Sequence, residues 1–158
     1  MMGRALLMIG WLAALGLLIA GFHGYSVEGT DGLSRHVLLA LLASLLLLFS
    51  HCWILFYLIG TGKVIKGAVV EFELDPAIVD QTREFKNQTS SWLLLAMILA
   101  IATFVLGGAV VTKTVPAWAH QTLFYVTVVV QIVTLRRETR VLVANERLIS
   151  DINRRVTS

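Results

Sequence analysis

Residues 36–60, HVLLALLASLLLLFSHCWILFYLIG, contain no Asp, Glu, Lys or Arg, and no other feature constrains the fold as much. A bilayer core is crossed by about 20 apolar residues in helix, and a lipid-embedded segment must satisfy its own backbone hydrogen bonds, as a helix does. The run is therefore expected to span a membrane. Residues 5–22, 91–112 and 117–135 form three further apolar blocks. The expected fold is all-α: one integral membrane four-helix bundle, with helices two, three and four extended into the cytoplasm over residues 63–90 and 136–156. With 15% of residues charged, the chain lies below the roughly 25% of soluble domains, which leaves no room for a second, water-soluble unit.

The basic residues set the orientation. Arg4, Lys63, Lys66, Arg83, Lys86, Arg136, Arg137, Arg140, Arg147, Arg154 and Arg155 fall on one side of this topology, and only Arg35 and Lys113 on the other. The positive-inside bias then places both termini in the cytoplasm. Basic residues beside the spans face anionic headgroups, so the net charge of +3 reads as topology and no nucleic-acid partner is expected. The lone cysteine, Cys52, excludes an intramolecular disulfide and a multi-cysteine thiol oxidoreductase. It is expected to be a small buried packing residue.

Arg4 followed by an apolar run has the outline of a signal peptide, but the run is long enough to span and no A-x-A site follows it, so it is expected to remain as helix one. Gly10 with Ala14, and Gly16 with Ala20 and Gly24, give small residues four apart, a face for close helix packing. Residues 23–35, HGYSVEGTDGLSR, read as an outer loop. Ala40 and Ser44 form a second small pair, and Trp53, Phe56 and Tyr57 an interfacial aromatic patch. The GTGK at residues 60–63 is not a phosphate loop, because the required first glycine falls at Tyr57 and no strand precedes it. Asp75 and Pro76 start helix three as cap and first helical residue. In the tail, Leu135, Leu142, Ile149 and Val156 recur every seven residues, joined by Val141, Leu148 and Ile152, an apolar seam for another helix. Glu138 and Asn145 interrupt it.

Histidine is the most informative polar residue. His23, His36 and His120 fall near the outer face on three different helices, a candidate ligand set for a metal or for haem b, with Glu28 and Asp31 as nearby acceptors to orient the rings. The alternative is that each is an interfacial residue bonded to water or headgroups. His51 lies inside the second span, about 22 Å of helical rise from His36, so the two cannot share one iron. A buried imidazole needs a hydrogen bond, and Gln131 or Thr127 on helix four stands at the right depth. A His/Met haem with Met97 or Met8, or a quinone or proton-handling site, are the other readings of His51. No carboxylate is expected inside any span, which removes the usual proton-coupling group of small pumps.

Three function classes follow. A non-catalytic subunit of a membrane complex, or a homo-oligomer, needs the fewest special residues and draws on the small-residue faces and the tail seam. A membrane redox component holding haem b or a metal at the outer histidines, with quinone as a possible exchange partner, is the second. A channel or small-solute carrier is the third.

Overall fold

A computed structural model describes residues 2–157. Among these the chain forms four α-helices and no strand: α1 Met2–Gly24, α2 Gly29–Glu71, α3 Ala77–Val111 and α4 Ala117–Thr157. Each is long and apolar enough to cross a bilayer. Sequential helices pack side by side, α4 closes back on α1, and α2 touches α4 across the diagonal. The α1–α2 and α3–α4 turns share one end of the bundle, called here the loop end; the α2–α3 turn and the end of α4 mark the tail end.

The helices have unequal lengths, 23, 43, 35 and 41 residues, and at 1.5 Å per residue α1 cannot match its neighbours. The position of Gly3, near the start of α1, faces Tyr57, Leu142 and Glu146. Beyond that level α2, α3 and α4 continue as a three-helix extension around Ile65, Val69, Ile78 and Ile152. Asp75 accepts the Ala77 backbone N–H at 2.9 Å at the head of α3, offsetting one of the donors every helix start leaves open.

Two expectations change. The outer loop is far shorter than residues 23–35, because α2 begins at Gly29. Gly29 takes the left-handed φ of +63° that turns the chain, and Asp31 in the first turn suits the positive end of the helix dipole. Cys52 is exposed rather than buried; it points away from the core with its Sγ 3.6 Å from Met97 Sδ.

Polarity is distributed inside out. Leu38, Phe56, Ile98 and Val105 are each more than half exposed, while Ser50, His51, Thr89, Thr127, Gln131, Thr134, Glu138 and Asn145 are buried. That arrangement suits a solvent as apolar as the side chains facing it, in which polar groups must find partners inside the protein. Small residues permit the close approach this needs: a Cβ at Gly10 would meet Leu135 at 2.8 Å and Ser50 at 3.0 Å, and the Phe124 ring lies against Gly21 where a Cβ would have to stand.

The tail seam packs within the chain. Leu142 is 1% exposed in a cluster with Leu6, Ile54, Leu58 and Val141, and Ile152 is buried in the extension while Ile149 only flanks it. Glu138 and Asn145 do not break the seam; they are buried within it. Leu142→Asp is therefore expected to cost at least the ~2–5 kcal/mol of a large-to-small core change, and Ile149→Asp markedly less. Limited proteolysis of the tail should accelerate strongly in the first variant and only slightly in the second.

Candidate functional site

Helix α4 carries a polar register that runs beside its apolar one. Gln131, Glu138 and Asn145 are seven apart, so they return to one face of the helix, and all three are buried. Opposite them on α2 stands His51, 0% exposed. Its Nε2 lies 2.8 Å from Gln131 Oε1 and its Nδ1 2.6 Å from Glu138 Oε1. Gln131 donates its amide N–H to the Ala96 carbonyl at 3.0 Å, which leaves Oε1 as acceptor and fixes the proton on His51 Nε2. The Nδ1–Glu138 contact then holds one shared proton, as imidazolium with carboxylate or as imidazole with carboxylic acid. Glu138 Oε2 is buried with no hydrogen-bond partner among the described residues.

The four apolar blocks hold no carboxylate, as expected, but one turn beyond the last of them Glu138 is buried inside the bundle. The Gly10 position of α1 faces Leu135 and Ser50, and the Gly3 position faces Leu142 and Glu146, so Glu138 lies between these levels, beside the apolar run of α1. The block boundary at residue 135 hid it. The seven-residue spacing from Gln131 was the available signal. His51 is also removed as a haem ligand with Met97 or Met8, since both ring nitrogens are engaged and Met8 is 66% exposed.

Toward the loop end the polar column continues through Thr103 and Thr127, whose hydroxyls are 2.6 Å apart, and opens into a cavity of about 290 Å³ between the two hairpins. This is near the lower end of the ~300–1,000 Å³ of small-molecule sites. Its wall is mostly apolar, and His36 from α2 and His120 from α4 both line it. Tyr25 also lines it, with its phenol hydrogen-bonded to that of Tyr125; that bond holds the Tyr25 phenol above the ordinary tyrosine value.

The two histidines are held in the same way. His36 Nδ1 meets the Ala20 carbonyl at 3.0 Å, and His120 Nδ1 meets the Thr103 carbonyl at 3.1 Å. In each case a glycine stands four residues after the accepting carbonyl: a Cβ at Gly24 would come 3.0 Å from the His36 ring, and one at Gly107 3.1 Å from the His120 ring. Residues four apart share a helix face, so the missing side chain opens the carbonyl to the incoming imidazole. A carbonyl can only accept, so Nδ1 carries the hydrogen and Nε2 keeps its lone pair. Neither Nε2 has a hydrogen-bond partner among the described residues.

His23 does not join this pair. It is absent from the cavity wall, and its Nδ1 is buried without a partner among the described residues. Glu28 and Asp31 are not the orienting acceptors; main-chain carbonyls of the neighbouring helices, at Ala20 and Thr103, take that role. Comparison with family models, with curated proteins and with solved structures finds no match to this chain.

Removing one partner of a buried pair strands the other, at a cost of about 3–5 kcal/mol, whereas replacing both by apolar groups is often close to neutral. His51→Leu and Glu138→Leu should each lower the unfolding midpoint in detergent substantially, and the double variant should recover most of the loss. Thermal circular dichroism of the four proteins checks this; additive losses would show that the two side chains are not coupled.

Proposed function

We propose that this chain is an integral membrane protein, with both termini on the cytoplasmic side, that holds haem b between His36 and His120 and works as a one-electron redox component. The observation that carries the reading is the shared fixation of the two rings: each Nδ1 is committed to a carbonyl, leaving a ligand-competent Nε2 at one cavity. Metal-bound histidines have their second ring nitrogen held in this way.

The ligand set favours haem over a bare ion. Among the described residues no group of three or more His, Cys, Asp or Glu side chains is placed to hold a metal, while a bare zinc-type site needs three or four protein ligands. A macrocycle supplies the remaining four nitrogens, and the apolar wall with Gly21, Gly24, Gly107 and Gly108 suits a flat apolar group. When bound, haem supplies reversible transfer of one electron; the protein's part is to orient both imidazoles and exclude water.

The small-residue faces and the tail seam, which pointed toward a partner subunit, are occupied by packing within the chain. They support the bundle itself, and the redox reading takes precedence.

Protein purified from haem-replete cells should show a Soret band and a reducible α-band. His36→Ala and His120→Ala should each lose them by at least tenfold in haem content, while His23→Ala keeps them. A haem titration of the purified protein that yields no Soret shift would overturn the assignment.

The orientation is tested separately, in a Cys52→Ser background. A membrane-impermeant thiol reagent applied from outside should label Val27→Cys strongly and leave Ser150→Cys unlabelled. The reverse pattern would invert the topology.

A further inference from the structure

Between α2 and α3, toward the tail end, lies a groove of about 230 Å³. Lys63, Lys66, Arg83 and Lys86 all line it, and no carboxylate does. Its position follows from the sequence: Lys63 comes three residues after the end of the apolar run at residue 60, and Lys86 five before the start of the one at residue 91. Gly62 lines the floor without a side chain; a Cβ there would meet only Thr82, at 3.6 Å from Oγ1 and 3.8 Å from Cβ. Arg83 is already paired with Asp80 at 3.0 Å. The three lysines form no ion pair among the described residues.

Four cations on one groove with a single paired member attract an anion, and phosphate suits them in size and charge. The groove's other wall selects among phosphates. Ile59 lines it from the apolar side and is 38% exposed, with Leu58 buried behind it, so a ligand seated on the lysines continues along an apolar exposed side chain. Basic pockets between membrane helices on the cytoplasmic side are where anionic lipid headgroups bind. We propose that this groove binds the headgroup of an anionic phospholipid, with its phosphate on Lys63, Lys66 and Lys86 and its acyl chains running past Ile59. The inference rests on the membrane placement proposed above and is independent of haem.

The test uses the full chain in detergent with equimolar phosphatidylglycerol and phosphatidylcholine, followed by native mass spectrometry. The wild type should retain phosphatidylglycerol at least tenfold over phosphatidylcholine. Lys63→Gln/Lys66→Gln/Lys86→Gln should lose that preference, whereas the charge-matched Arg136→Gln/Arg140→Gln/Arg147→Gln, on exposed α4 positions, should keep it. Gly62→Leu fills the groove with every cation in place and should also lose it, so the outcome does not depend on how well the triple variant folds. Equal retention of both lipids by the wild type, or a preference unchanged by Gly62→Leu, overturns the proposal. Displacement of the lipid by millimolar inorganic phosphate would assign the groove to a soluble anion and overturn the lipid assignment. Flotation with neutral phosphatidylcholine vesicles separates the two readings: a protein that floats but shows no lipid preference loses only this inference, and one that does not float loses the membrane placement.

Discussion

His51 and Glu138 meet at 2.6 Å with neither side chain exposed, and the rest of the bundle is arranged around satisfying that contact. Burying an ionisable pair away from water carries a desolvation cost that can outweigh the mutual attraction; here the imidazole is fully matched, while Glu138 Oε2 has no partner among the described residues. Gln131 meets the second imidazole nitrogen and is itself tied to the Ala96 carbonyl, so one side chain from α2, two from α4 and the backbone of α3 are fixed in a single network. Such a network specifies a unique register, because sliding α2 against α4 by one turn would leave several buried polar groups unpaired. Thr61 and Asn145, 3.1 Å apart between the same two helices, repeat the restraint nearer the tail end.

The same economy of polar contacts shapes the loop end with a different outcome. There the helices diverge around a cavity, and each histidine uses one nitrogen to join the two helices of its own hairpin, α1 to α2 through His36 and α3 to α4 through His120. The two hairpins present nearly the same local geometry, a carbonyl, a glycine four residues on, and an imidazole from the next helix. At the tail-end pair, His51 is saturated by protein groups. At the loop end, neither second nitrogen has a hydrogen-bond partner among the described residues, which is why the proposed function rests there.

Much of this was legible in the chain. The absence of charge over residues 36–60, the apolar blocks and the Asp75–Pro76 break gave four helices and their order, because hydrophobic length and turn chemistry are local properties. The depth match between His51 and Gln131 followed from counting 1.5 Å per residue. His36 and His120 could be placed at one level by the same count. Glu138 was missed because a hydropathy boundary treats residue 138 as lying outside its span, although it stands four residues before Leu142, on the same inward face of α4. Cys52 was misplaced because composition alone cannot say which face of an apolar helix meets the core.

The sequence by itself determined the number and order of the helices and the level of His51 against Gln131, since each depends on rise per residue and on local polarity. The tertiary structure decided which polar groups meet. Rotation of α1 and α3 about their own axes brings the Ala20 and Thr103 carbonyls, uncovered by Gly24 and Gly107, against His36 and His120, and it leaves His23 outside the cavity. No count along the chain fixes that rotation, because it is set by how side chains from all four helices fit together.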